Sequence, residues 1–298
     1  MDFRLKVFFT VATRLSFTKA AIELFITQPA VSKHIQELEE AYKVKLFDRT
    51  GSKISLTQAG EQLVKQAKNI FEIYREIDYE MSALIKEQNG MLRLGASTTI
   101  SQYIIPPLLA RFHGEMQGIK VILRNGNTEQ IESALLNKEI ETGIVEGQSK
   151  NKAIKYTPFL KDELVLVCNS TNPLVNKREI TKQDLLQLRF LMREQGSGTL
   201  EVIEHALKPL KIKMSELIVE MQLGSTESIK SYLMNSNCVA FISIHAIEKE
   251  LKSNELVILD VDNLIIERYF YIISLHGKAN ALSDLFIKNI SRYYNLKL

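Results

Sequence analysis

The sequence predicts an α/β protein carried behind a small, all-α N-terminal head. Three observations predict it. Two short helical patterns joined by a tight turn lie within residues 16–57; a seam of apolar residues spaced by four and three runs from Leu63 to Leu84; from Met91 onward short apolar strands alternate with helices. Such alternation is the pattern of an α/β domain and predicts largely parallel sheets.

In the head, residues 2–15 form a first helix with Phe3, Val7, Phe8, Val11 and Leu15 on one stripe. Ala20, Ala21 and Leu24 share a face of the second helix, and Ala30, Val31, Ile35 and Leu38 share a face of the third. Helices this short are unstable alone and must pack on one another. Thr27 is placed to cap the third helix, and Pro29 sits in its first turn, where a missing N–H costs nothing. That leaves Gln28, Ser32, Lys33 and Gln36 facing outward, an amide, hydroxyl and ammonium set that suits base edges and phosphates. His34 shares this helix and has a surface or DNA-facing place there rather than a chemical one. Residues 45–48 and 53–56 predict two strands flanking the turn Arg49-Thr50-Gly51-Ser52, with Arg49 and Lys53 at the tip of the hairpin, suited to a backbone or minor-groove contact.

The segments FTKAA, TQPAVSKHIQELEE, VKLFDRT and SLTQAGE occur in this order and spacing. Together they resemble the winged helix-turn-helix of the LysR-type transcriptional regulators, and the match covers the head almost without gaps. The resemblance implies that Gln28, Pro29, Ser32 and Lys33 lie on a recognition helix and Arg49 on a wing, with Thr18 and Lys53 among the DNA-binding residues. It further implies three parts: a DNA-binding domain over 1–57, a linker and dimerisation helix over 58–89, and an effector-binding domain over 90–298. The last would comprise two α/β lobes resembling periplasmic binding proteins, 90–160 with 267–298 and 161–266.

The bulk composition fits an ordinary globular chain: of 298 residues, 45% are hydrophobic and 24% charged. The formal charge is +3, and its placement is more telling. Residues 1–57 hold nine Lys and Arg against six Asp and Glu, so the whole excess lies in the head. A footprint this modest predicts binding to DNA as a dimer or tetramer. Cys168 and Cys238 each sit in an apolar run and are expected to be buried, reduced thiols. Arg4, Lys6 and Arg14 interrupt the apolar residues at the N-terminus, so no signal peptide is expected, and no stretch reaches the roughly 18–20 apolar residues of a membrane span. A cytoplasmic protein is the expectation.

Thr57 can cap a long helix ending at Asn89-Gly90. Along it Leu63, Ala67, Ile70, Tyr74, Ile77, Met81 and Leu84 form a heptad seam, which wants a partner helix. LysR-type proteins pair through this helix, and two copies would read an interrupted palindrome in double-stranded DNA. Beyond it, strands are predicted at 92–95, 120–123, 142–145, 164–167, 190–192, 219–221, 239–242, 256–259 and 269–273. Helices are predicted at 104–112, 129–137, 199–207, 227–234, 246–251 and 281–293. By resemblance to the family's effector domain, crossovers fall near residues 160 and 266.

Four strand-to-helix junctions carry hydroxyls and glycine: Ser97-Thr98-Thr99, Gly126-Asn127-Thr128, Gly196-Ser197-Gly198-Thr199 and Gly224-Ser225-Thr226. Ligands of open α/β sheets lie beyond the carboxyl ends of strands, where helix N-termini offer free N–H groups. An anion, or a ligand with an anionic head, is the natural guest. Each junction alone is equally an ordinary helix cap; the 196–199 loop is the sharpest. Glu146 could line the same place by orienting a donor. The candidate effector-binding set is Ser97, Thr98, Thr99, Thr128, Glu146, Gly196, Ser197, Gly198, Thr199 and Ser225. The stretches LGASTTI, GNTEQI, VEGQ, MREQGSGT and LGSTESIK are similar to the branch of LysR-type regulators that governs sulfur assimilation, sulfite response and carbon fixation, which implies sulfite, sulfate or a phosphorylated metabolite as effector. Asn235-Ser236-Asn237-Cys238 departs from the glycine-rich run usual before the strand at 239.

Two other classes compete. An enzyme is disfavoured because the five histidines and two cysteines show no metal-ligand spacing and no phosphate loop or nucleophile elbow occurs, so neither metal nor cofactor is expected. A solute-binding protein for a small anionic metabolite would suit two lobes, but the basic head argues against it.

Overall fold

Asp2 opens the first helix, α1 (Phe3–Arg14), its carboxylate accepting the Arg4 N–H at 2.9 Å. Ser16 and Thr27 cap α2 (Phe17–Leu24) and α3 (Gln28–Tyr42) in the same way through the N–H groups of Lys19 and Ala30. These contacts belong to a computed structural model that describes residues 2–50, 53–84, 90–147, 151–277 and 280–294. The chain divides into two units, 1–86 and 87–298.

In the first unit the three helices bury Leu5, Val7, Phe8, Val11, Ala20, Val31, Ile35 and Leu38 in one core. Phe3 and Leu15, expected on that stripe, are exposed at the ends of α1. The hairpin that follows pairs β1 (Phe47–Thr50) with β2 (Lys53–Leu56), Phe47 opposite Leu56 and Arg49 opposite Ile54. The first strand therefore starts later than predicted, because Lys45 and Leu46 are engaged elsewhere. Glu39 accepts from the Leu46 N–H at 2.9 Å and from the Lys45 ammonium at 2.7 Å, while the Thr57 hydroxyl donates to the Lys45 carbonyl at 2.6 Å. Arg49 is thus a strand residue rather than a turn residue; Gly51 and Ser52 lie outside the described residues. Thr57 also caps α4 (Gln58–Leu84), accepting from the Gly60 N–H at 3.0 Å.

The seam of α4 divides along its length. Leu63, Val64, Ala67 and Phe71 pack on the head, with Phe71 edge-on to Phe9 at 5.3 Å. Ile70, Ile73, Ile77 and Met81 are exposed in the single chain. The Leu84 side chain lies outside the described residues.

The second unit is built on a seven-stranded sheet of order β10-β6-β11-β5-β3-β4, with β9 also on β6. Its strands are β3 (Gly90–Ser97), β4 (Ile119–Gly126), β5 (Thr142–Glu146), β6 (Ile154–Asn169), β9 (Ala240–Ser243), β10 (Leu256–Leu259) and β11 (Ile266–Leu275); β7 (Arg189–Arg193) and β8 (Ile218–Leu223) form a parallel pair joined to β9's approach by a bridge from Phe190 to Val239. Helices α5 (Ile105–Glu115), α6 (Thr128–Leu136), α7 (Lys182–Leu185), α8 (Gly198–Leu207), α9 (Thr226–Leu233), α10 (Ile244–Lys252) and α11 (Ala281–Tyr293) cover it. The sheet is mixed, not largely parallel. Strands β3, β4 and β5 are parallel, but β6 and β11 pair antiparallel over 154–164 and 266–275, and β9 and β10 continue antiparallel on the far end of β6. This long ribbon joins one half of the unit to the other, and α11 returns to the first half, with Phe286 against Phe112 at 5.2 Å. Between β3 and α5 lies a π-helical turn, Ile100–Ile104, that periodicity did not predict. Cys168 and Cys238 are buried free thiols, and burial pushes the Cys168 thiol up to about 11.

Candidate functional site

On α3, residues Gln28, Pro29, Lys33 and Gln36 are exposed and Ser32 is half-buried. The Gln28 amide donates to the Ser32 hydroxyl at 2.9 Å, so the two polar groups at the helix tip are held in one arrangement. Thr18 is exposed on α2. His34 turns the other way: its ring lies edge-on to Phe3 at 5.4 Å and ties α3 to α1. The backbone puts Arg49 and Lys53 on the two hairpin strands; their side chains lie outside the described residues.

In the second unit the carboxyl ends of β3, β5 and β7 meet the middle of the ribbon, and there the structure assembles a buried polar network. Glu146, ending β5, is 1% exposed. Its carboxylate accepts from the Thr99 N–H at 3.0 Å and the Thr199 hydroxyl at 2.6 Å, and lies 3.5 Å from Arg268 Nη1. Burial opposes the charged form of Glu146, but the Arg268 guanidinium, the two hydrogen bonds and the nearby Arg193 outweigh it and hold the carboxyl below the usual range. Arg268 also donates from Nε to Asp162 at 2.7 Å and from Nη1 to the Thr199 hydroxyl at 2.9 Å, and Asp162 accepts from Ser243 at 2.7 Å. At the other end Thr98 donates to the Gly126 carbonyl and accepts from Arg193 Nη2, both at 3.1 Å. Arg193 is 3% exposed and grips Glu194 with Nε and Nη2 at 2.8 and 2.9 Å.

The network therefore contains Thr98, Thr99, Glu146 and Thr199 from the predicted set, and the rest fall around it. Thr128 donates its hydroxyl to the Glu146 carbonyl at 3.0 Å. Gly196 has φ +81°, a left-handed conformation glycine adopts freely, and its carbonyl accepts the Glu129 N–H from the first turn of α6 at 3.2 Å. Gly198 packs so closely that a Cβ there would lie 2.1 Å from the Glu146 carbonyl oxygen. Ser225 is half-buried and caps α9 in the ordinary way through Ser228. Ser197 occupies the cap position of α8, yet its hydroxyl makes no capping bond.

Four buried donors at this place have no protein partner: the hydroxyls of Ser97 and Ser197, Nη1 of Arg193 and Nη2 of Arg268. An unsatisfied buried polar group costs about 1–3 kcal/mol, more when charged. Four such donors are chemically suited to an acceptor-rich guest. Sequence reasoning missed Arg193, Arg268 and Asp162. Arg193 closes the apolar run FLMR, and Arg268 has the inward parity of Ile266, Phe270 and Ile272 on β11; a charge on the buried face of a strand is the signal that could have found it. Among the described residues no group of three His, Cys, Asp or Glu could hold a metal ion, and no helix is long and apolar enough to cross a membrane.

A three-helix head with a hairpin wing and a long helix, followed in the sequence by an α/β domain with unsatisfied buried donors, defines a DNA-binding protein with a ligand-binding domain. Residues 3–61 match the bacterial regulatory helix-turn-helix proteins of the lysR family, and residues 86–293 match the LysR substrate binding domain. The chain belongs to the LysR family of transcriptional regulators, and it is a regulator rather than an enzyme. It is 33% identical to the transcriptional activator CmpR of Synechocystis sp. over 278 residues, 93% of this chain and 90% of that protein. It is 29% identical to the transcriptional regulator CysL of Bacillus subtilis over 295 residues, 99% and 98% of the two chains. Among solved structures, the regulatory domain of CcmR from Synechocystis PCC6803, in complex with 2-PG, is 31% identical and covers 68% of this chain and 96% of its own with a TM-score of 0.62. Full-length CbnR with its target DNA, at 19% identity, shares the fold, with a TM-score of 0.69 over 98% of this chain and 99% of its own.

Proposed function

We propose that this regulator acts in the cytoplasm as a dimer or tetramer paired through α4, and that it reads an interrupted palindrome with Thr18, Gln28, Pro29, Ser32 and Lys33, braced by Arg49 and Lys53 of the wing. The stripe Ile70, Ile73, Ile77 and Met81 supports the pairing, since these large apolar side chains are exposed. A small anion seated between the halves of the effector domain, a sulfur oxyanion or a phosphorylated metabolite, shifts how the paired heads sit on DNA. The observation that carries this reading is the set of unpartnered buried donors on Ser97, Ser197, Arg193 and Arg268. The relative crystallised with 2-PG supports a small anionic guest of this kind. Ser97, Thr98, Thr99, Thr128, Glu146, Thr199 and Ser225 with the loop Gly196, Ser197 and Gly198 form the walls.

The test is a calorimetric and thermal-shift titration of the full chain with sulfite, sulfate, inorganic phosphate and 2-PG. One of them should raise the melting temperature, by an amount that grows with the logarithm of its concentration over its dissociation constant, and Ser197→Ala should weaken that effect. If none of the four changes stability or heat flow, the anion site is refuted. The DNA half is tested separately by anisotropy with the upstream DNA of its own gene; equal affinity for random duplex would refute the palindrome.

A further inference from the structure

The carboxylates of the buried network are not equivalent. Glu146 and Asp162 are fully enclosed, and each is anchored by donors besides arginine: Glu146 by the Thr99 N–H and the Thr199 hydroxyl, Asp162 by the Ser243 hydroxyl. Glu194 differs on both counts. Its side chain is 30% exposed, and among the described residues Arg193 alone holds it, through the fork made by Nε and Nη2. It is also the residue directly after Arg193, so its carboxylate can leave the guanidinium by rotating its own side chain without moving any helix or strand.

Arg193, by contrast, cannot follow it out. The guanidinium is 3% exposed and is tied on its inner side to the Thr98 hydroxyl, with the Gly224 carbonyl at 3.5 Å, while Nη1 has no partner. A planar guanidinium edge is the best seat in the site for a carboxylate, phosphate or sulfur oxyanion, because two parallel N–H groups match two oxygens. In this structure Glu194 fills that edge. Formal charges agree: within the ion-paired network Arg193 and Arg268 face Glu146, Asp162 and Glu194, so with all five ionised these groups sum to one excess negative charge. Release of Glu194 toward solvent opens this edge to an anion without stranding an anchored carboxylate.

We infer that Glu194 is a built-in placeholder: an entering oxyanion displaces its carboxylate from the Arg193 fork, and this competition sets the effector concentration to which the regulator responds. The inference rests on the anion-site reading given above. It makes Glu194 an affinity-setting residue whose removal tightens binding, the reverse of what removing a ligand-contacting side chain does.

The experiment compares wild type with Glu194→Gln and Glu194→Asp in the full chain, titrating 2-PG and sodium sulfate by calorimetry and following the melting temperature at each ligand concentration. Glu194→Asp keeps the charge but shortens the reach, which guards against a variant that fails for want of a counter-ion beside Arg193. Glu204→Gln, an exposed carboxylate on α8, controls for general charge removal. Expected is a fall in the dissociation constant of about tenfold or more for Glu194→Gln, a smaller fall for Glu194→Asp, none for Glu204→Gln, and a larger ligand-induced rise in melting temperature for the two Glu194 variants. If wild type binds one of the anions and both Glu194 variants bind it equally or more weakly, or if Glu204→Gln tightens binding as much, the placeholder is overturned while the anion site stands. If no protein in the series binds either anion, the anion-site reading itself falls and takes the placeholder with it.

Discussion

Replacing Arg268 by Met is the sharpest structural probe of the buried network. Methionine approximates the length and volume of the arginine stem, so packing over Phe270, whose ring centre lies 5.1 Å from the guanidinium carbon, is largely kept. The charge is not. Asp162 loses a 2.7 Å partner and Glu146 the one cation paired with it among the described residues, and both carboxylates are within 2% of full burial. Breaking a buried pair from one side costs about 3–5 kcal/mol, so the effector domain should lose that much near about pH 7. The pH dependence gives a second handle. In wild type the Glu146 carboxyl titrates below its ordinary value, so its contribution is complete above the unfolded value and fades only as pH falls through the folded one. Without Arg268, burial becomes the governing influence and favours the neutral acid, so the deficit of the variant shrinks as pH falls toward about pH 4. Calorimetric unfolding of the full chain at both ends of that range reads both numbers. A deficit under about 1 kcal/mol, or one that is the same at both pH values, would refute the claim that Arg268 is the ion holding this network together.

Gly198→Ala should cost about 1–3 kcal/mol by calorimetry and weaken anion binding, because its Cβ would meet the Glu146 carbonyl oxygen at 2.1 Å, with the Thr128 hydroxyl at 2.6 Å; an unchanged melting temperature would count against that packing. Lys43→Gly should stabilise the head by about 1 kcal/mol, since Lys43 ends α3 in a left-handed conformation at φ +56° that costs a side-chain-bearing residue about that much; chemical denaturation of wild type and variant measures it. On DNA, Lys33→Ala should weaken binding to all sequences and flatten the salt dependence by about one counterion, whereas Gln28→Ala should cost about 1–3 kcal/mol on the operator alone. Anisotropy titrations at several salt concentrations separate the two, and identical behaviour of the variants would remove the distinction.

The elements legible in the sequence were those fixed by near neighbours. Thr27 with Pro29, and Thr57 before the long helix, are cap chemistry decided within a few residues, and the helix at 281–293 is where its periodicity puts it. The first half of β6 was not legible, because Pro158 and the charges of KDE break the apolar run. The structure accommodates Pro158 at a register shift against β11, where Phe270 opposes Leu160 and Tyr271 opposes Pro158, so that Phe159 is the extra, buried residue. The π-helical turn at 100–104 has no mark in the apolar spacing; it follows directly on Thr99, whose N–H is docked on Glu146. The site was half legible. Hydroxyls at strand ends are visible as a motif, but the arginines that organise them come from β7 and β11, distant in sequence and brought together only by the mixed sheet.

The β6–β11 ribbon has a mechanical consequence. Arg268 and Asp162 are directly opposite one another in its register, with two further pairs between them and the bulge, so the ion pair sits where the two halves share continuous backbone. A guest held by Arg268 would therefore act on this shared backbone rather than on a loop beside it. Two hydrogen-bonded strands resist stretching far more than they resist twisting, so what such a guest can send onward is a torsion, graded by how firmly it holds one guanidinium.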